Sequence, residues 1–244
     1  MRKYTAAPHP FLLEVPLTGE GEEHEIGLTL IGRGARYLPY LIHALQRAGQ
    51  RGLGKARVVM NLIEVEQAHP PEGNRWVSIY RPDEALQAYP PSVPKVPVAP
   101  PSLRIRFQTP LRLKRQGRLV APKAFQLSDL FGSLLRRISM LTYFHTNQPL
   151  ETDFAGLMKE ARRAEATVAR LGWQDWTRYS SRQRTTMQMG GLVGELLLEL
   201  DENSPFWPYL WIGQWVHAGK GTSMGLGQYT LEAASLPDSK VAGL

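Results

Sequence analysis

The 244-residue chain is 43% hydrophobic and 21% charged, enough apolar side chains for an ordinary core and too structured a composition for wholesale disorder. With no cysteine it has no disulfide, no thiolate nucleophile and no cysteine-ligated zinc, a composition suited to a reducing cytoplasm. The net charge of +7 is uneven: residues 1–101 hold 11 basic and 10 acidic side chains, residues 102–145 nine and one, and residues 146–244 nine and eleven.

Charge concentrated in some forty residues points to a polyanion partner, most often nucleic acid, with a solvated basic face as the plain alternative. The opening MRKYTAAPHPF has no apolar run behind its basic residues, so no signal peptide is expected. No stretch approaches the roughly 18 apolar residues of a membrane span.

In chain order, HPFLLEVPL and EIGLTLIG read as strands, and RYLPYLIHALQRAG reads as a helix with Leu38, Leu41, Ile42 and Leu45 on one face. GKARVVMNLIEVEQ reads as a further strand. This is a ferredoxin-like unit without its leading strand and helix, over residues 1–88. The chain starts too late to hold those two elements. YPPSVPKVPVAPPS has six prolines and predicts a stiff, extended linker over residues 89–102.

LRIRFQTPLRLK alternates: Leu103, Ile105 and Phe107 share one face, Arg104, Arg106 and Gln108 the other. It predicts a half-buried strand interrupted at Pro110. Leu127, Leu130, Phe131, Leu134, Leu135, Ile138 and Leu141 recur at helical steps, which predicts a helix over Leu127–Phe144. A polar helix is expected from Asp153 to Arg170. TRYSSRQRTTMQM, then GG, then LVGELLLEL predicts a hairpin. SPFWPYLWIGQWVHAG predicts a helix with Ser204 as N-cap and Gly219 just past its end. GLGQYTLEA closes the chain as a strand. Residues 103–244 therefore read as a second ferredoxin-like unit. The fold class expected is α+β, two tandem ferredoxin-like domains.

HAGKGTSMGLGQY, from His217 to Tyr229, carries four glycines with a histidine and a lysine at its front. A phosphate-cradling nucleotide loop runs strand, glycines, helix; here the order is reversed and Lys220 is followed by Gly221, so a P-loop is not expected. Bare backbone beside Lys220 predicts an anion-binding concavity, and a plain connecting turn is the alternative.

WVHAGKGTSMGLGQY, with TPLRLKRQGRLV, the helix containing LLRRIS, RYSSRQ, MGGLVGEL and PYLWIGQWVHAGKG in order, resembles the CRISPR-associated repeat-processing endoribonucleases, the Cas-six family of the repeat-associated mysterious protein (RAMP) group. The resemblance spans roughly residues 103–233. Upstream, PHPFLLEVPL, LIGRG with LPYLIHAL, and GLGKARVVMNL resemble such proteins more weakly. It implies two tandem ferredoxin-like domains, RRM-like in fold, and cleavage of precursor CRISPR RNA within repeats without metal or other cofactor. It implies that the product is kept or passed to an effector complex. Members usually carry a further amino-terminal segment, in several of them with a catalytic histidine. The partners expected are CRISPR repeat RNA and either other CRISPR effector subunits or a second copy completing the first domain, with no membrane. A non-cleaving RNA-binding subunit is the alternative reading, and a protein-interaction scaffold is a third.

Metal-free RNA cleavage needs one group to take a proton, one to give a proton, and cations for the phosphoryl oxygens. His217, at a helix end three residues before Lys220, is the candidate acid or base, or else a structural cap. Lys220 and Arg182 are candidate phosphate stabilisers. On a strand, Arg178, Ser180, Arg182 and Arg184 share a face at steps of about 6.6 Å, a spacing suited to an RNA backbone. Tyr179 points the other way, to pack or to lend its hydroxyl to proton transfer. Arg112, Lys114, Arg115 and Arg118 surround a turn at Gly117, suited to phosphate contacts on a stem. Arg136 lies opposite its helix's apolar stripe. Gly219, Gly221, Thr222, Ser223, Gly225 and Gly227 complete the expected RNA contact. His9, His43 and His145 read as structural or solvent-facing. No metal-ligand spacing is present, and Trp207, Trp211 and Trp215 read as a packed helix face.

Overall fold

The computed structural model describes residues 7–14, 21–54, 56–73, 75–180, 184–201 and 203–234. The chain forms two compact units, one of residues 1–29 with 96–244 and one of residues 30–95.

In chain order the elements begin with the paired strands β1 (Phe11–Glu14) and β2 (Gly27–Leu30), followed by helix α1 (Leu38–Gln50). Strand β3 (Val65–Ala68) and β4 (Trp76–Tyr80) form an antiparallel hairpin. The strand expected across residues 54–67 is thus confined to its end. Val58 makes only an isolated bridge with Leu53, and Val58, Val59 and Ile63 are exposed. Apolar content alone does not make a strand where no partner supplies hydrogen bonds. β4 has no counterpart in the sequence reading. A turn in which Gly73 N–H donates to Pro70 O at 2.9 Å brings it back on β3.

The larger unit continues with β5 (Ser102–Leu111), β6 (Lys114–Arg115), β7 (Arg118–Leu119), α2 (Leu127–His145), α3 (Phe154–Ala161) and β8 (Val168–Gln174). Then come β9 (Thr177–Ser180), β10 (Thr185–Gln188), β11 (Gly191–Glu199), α4 (Trp207–Val216) and β12 (Tyr229–Ala233). The antiparallel four-stranded sheet runs β12-β5-β11-β8. Counting only its own strands, that order is fourth, first, third, second, which is the ferredoxin-like arrangement. Helices α2 and α4 cover one face. Leu103, Ile105, Phe107, Leu192, Leu196, Leu198 and Tyr229 from the sheet meet Leu130, Leu134, Ile138 and Leu210 from the helices in the core.

Two expectations for this unit are corrected. The polar helix ends at Ala161, and Val168–Arg170 already belong to β8. The Asp153 carboxylate caps that helix by accepting from Gly156 N–H. β8, not the RYSSRQR segment, is the hairpin partner of β11. RYSSRQR starts in β9, which with β10 forms a separate two-stranded ribbon between the second and third sheet strands. A third difference lies in α4. It begins at Trp207 without a side-chain cap from Ser204, and His217 rather than Gly219 takes the positive-φ exit, at 56°. Of the proline-rich stretch, residues 89–100 carry no regular structure. Its distal part is fastened to α4, where Trp207 Nε1–H donates to Pro97 O at 2.6 Å.

Candidate nucleic-acid interface

The glycine-rich segment between α4 and β12 is fastened along the end of β5. Lys220 N–H donates to Arg112 O at 3.0 Å and Gly227 N–H to Pro110 O at 3.1 Å. The Thr109 hydroxyl donates to Gly225 O at 2.7 Å and accepts from Gln228 N–H at 2.9 Å. From α2, Ser133 Oγ accepts from Gly219 N–H at 3.0 Å. Two glycines are demanded by close approach as well as by positive φ. A Cβ at Gly219 would lie 2.6 Å from Arg112 O, and one at Gly227 would lie 1.8 Å from Ala218 O.

The backbone expected to meet an anion is largely engaged within the protein. Thr222, Gly225 and Gly227 are buried, and the N–H groups of Gly219, Gly225 and Gly227 already have protein acceptors. Backbone bareness here serves internal packing. Gly219, Gly221 and Ser223 are half-buried, and the exposed side chains of the segment are Lys220 and Met224.

His217 is fully buried. Its Nε2 lies 2.8 Å from Glu14 Oε1 and its Nδ1 lies 3.3 Å from Leu226 O. Both neighbours accept, so a ring protonated on both nitrogens satisfies both. The side chain ties β1 to the glycine-rich segment and has no exposed surface where an acid or base was expected. Next to it, Arg137 Nε–H donates to Val216 O, while Arg137 Nη2 is buried without a partner. Burial pushes the Arg137 guanidinium down to about 10, which leaves it charged at neutral pH.

The expected RNA-binding cations divide. Arg115 is committed within the protein: its guanidinium pairs with Asp129, and its Nη2–H donates to Ala124 O at 2.8 Å. The hydrogen bond to Asp129 raises its pKa above the ordinary arginine value. Asp129 also accepts from Gln126 N–H at the start of α2, so the pair fixes the β6–β7 turn on that helix end. Arg182 lies outside the described residues. Lys114, Arg118, Arg136, Arg178, Arg184 and Lys220 are exposed and have no acidic partner among the described residues.

Three basic residues border the segment. The Arg112 backbone holds Lys220, and its Nη1–H donates to Gln188 O at 2.7 Å. Arg178, opposite Met187 on the ribbon, reaches Met224 at the segment's tip. Tyr179 does not pack: it is 64% exposed on β9.

Of the other histidines, His145 Nε2 contacts Pro8 O at 2.7 Å, while His9 and His43 are exposed. Sequence reading missed Glu14, Thr109 and Ser133. Each is a single polar residue distant in the chain from the segment it holds, so no local pattern marks it. The one available signal is Thr109 beside Pro110, a polar side chain on the apolar side of an alternating strand.

Residues 105–229 match the family model described as CRISPR-associated endoribonuclease Cas6, and residues 1–92 match a model described as an N-terminal domain. No curated protein matches the chain. Among solved structures the chain is similar to Thermus thermophilus Cas6 (TTHB231) in its product complex. That match has 18% identity over 93% of this chain and 83% of the other, with a TM-score of 0.62. It is also similar to a Cas6 (TTHA0078) product complex, with 20% identity over 92% and 85% and a TM-score of 0.49. The family match takes in just over half of the chain, including β5, the cationic turn, the ribbon and the glycine-rich segment, and the protein belongs to the Cas6 family of CRISPR-associated endoribonucleases.

Proposed function

We propose that the protein cleaves precursor CRISPR RNA within its repeats, using the substrate's own 2′-hydroxyl as nucleophile, and keeps hold of the product. The 2′-oxygen attacks the adjacent phosphorus and loses its proton. The bond from phosphorus to the 5′-oxygen breaks and that oxygen gains a proton. The products are a cyclic phosphate and a free 5′-hydroxyl, with no metal in the step. Arg112, Arg178 and Lys220 stabilise charge on the non-bridging phosphoryl oxygens. Lys114 and Arg118 grip a stem by its phosphates, a mode that reads A-form shape rather than sequence. His217 acts from behind as a positioning residue, holding the segment that carries Lys220.

In the same reading residues 89–102 are a linker and residues 103–244 the RAMP domain. The protein works in the cytoplasm with other CRISPR effector subunits. The observation that carries the reading is that Arg112, Arg178 and Lys220, with no ion-pair partner among the described residues, border one glycine-rich segment.

The burial of His217 favours a second reading, RNA binding without cleavage. Incubating the protein with an end-labelled repeat hairpin in EDTA separates the two. Cyclic-phosphate ends support cleavage. Salt-sensitive binding of intact RNA supports the second reading, and no affinity at low salt rejects both.

A further inference from the structure

The ribbon and the strand leading into it expose three large aromatic side chains within seven residues: Trp173 at 40%, Trp176 at 36% and Tyr179 at 64%. Water-exposed aromatic surface this dense marks an interaction site rather than core. These rings sit on a braced backbone. Trp173 Nε1–H donates to Asp175 Oδ1 at 2.9 Å, which also occupies the one carboxylate in the stretch. Trp176 O accepts from Met189 N–H at 2.5 Å, and β9 is paired to β10 over Thr177–Ser180.

Charge selects the occupant. Arg178 and Arg184 on the ribbon have no acidic partner among the described residues. Cations interleaved with exposed aromatics bind single-stranded nucleic acid, the rings stacking on bases and the cations tracking phosphates. Three residues of chain span at most about 11 Å, which bounds the backbone separation of successive ring-bearing residues. A paired stem offers no free base faces, whereas an unpaired segment does.

We propose that Trp173, Trp176 and Tyr179 form a stacking platform for unpaired ribonucleotides adjoining the repeat stem. This rests on the RNA-binding reading above and deepens it by naming the form of RNA that the ribbon takes. Arg178, next to Tyr179 in β9, contacts Met224, which places the ribbon beside the glycine-rich segment.

The test compares three RNAs: a repeat hairpin with unpaired tails, the same hairpin without tails, and the tailed hairpin with abasic tails that retain every phosphate. Wild-type protein should bind the tailed hairpin most tightly and lose most of that gain with abasic tails, and its tryptophan fluorescence should be quenched only by base-bearing tails. Trp176→Ala and Tyr179→Ala should each weaken tailed-hairpin binding about tenfold, in line with stacking of one base. Both should leave tail-free binding within twofold and the salt slope unchanged. Trp176→Phe and Tyr179→Phe should restore most of the loss.

Equal binding of base-bearing and abasic tails overturns the platform, as does an equal loss on tailed and tail-free hairpins in the alanine variants. A wild-type protein that binds the tail-free hairpin but gains nothing from tails rejects the platform alone. One that binds none of the three RNAs rejects both the platform and the reading it rests on.

Discussion

The outer face of the four-stranded sheet and the glycine-rich end of the same unit are both rich in arginine, yet they differ in what surrounds it. On the sheet face Glu195 lies 3.8 Å from Arg104 and Arg106 and 3.6 Å from Arg170, and Glu232 lies 4.0 Å from Arg106. Strand pairing sets this up, since Glu195 stands opposite Arg106 on β5 and Arg170 on β8, and Glu232 stands opposite Arg104. At the glycine-rich end, Arg178 and Lys220 have no such partner among the described residues. A neutralised lattice holds strands together, whereas unpaired cations on a fixed scaffold leave a field for a polyanion. Basic composition therefore does not locate a binding face; the position of the carboxylates does.

That contrast fails if the glycine-rich end is not rigidly built. The largest expected effect is that of Gly227→Ala, which places a methyl group against Ala218 O at a position with φ of 72°. It should destabilise the protein by about 3 kcal/mol or more, measured by urea unfolding. Thr109→Val keeps shape but removes two hydrogen bonds to the segment and leaves Gly225 O unsatisfied. It should cost about 2 kcal/mol in the same assay and lower RNA affinity with it.

The double change Arg178→Gln with Lys220→Gln tests the free cations themselves. Folding stability should hold, while affinity for a repeat hairpin falls on the order of tenfold at physiological salt and the log–log salt slope drops by roughly 1.5 to 2. The smallest effect is the sharpest control. Arg104→Gln with Arg106→Gln removes the same formal charge from the sheet face and should leave hairpin affinity within about twofold, because those charges are already screened by Glu195 and Glu232. Equal losses from the two double variants would erase the distinction between the faces.

The alternation in LRIRFQ and the stripe from Leu127 to Leu141 were legible because one buried face imposes a period of two on a strand and 3.6 on a helix. β5 and α2 accordingly lie close to where the sequence puts them. The start of Val168–Gln174 was read as helix because the run into it is polar and helix-compatible. It becomes a strand only because the exposed edge of β11 accepts it. At the site, the glycines and Lys220 were conspicuous in sequence, but the reason for the glycines was not. Their neighbours, Arg112 O and Ala218 O, come from folding the segment back on β5 and on itself.

Sequence by itself determined that a basic α+β protein carries a helix–glycine–strand segment near its end, since composition and periodicity are local properties of the chain. Tertiary structure decided which arginines are spent on carboxylates, that His217 is enclosed between Glu14 and Leu226, and that Arg178 meets the tip of the segment. Those outcomes depend on pairing and burial between residues far apart in the chain. Electrostatic and hydrogen-bond partners are chosen by distance in space, which no local pattern encodes.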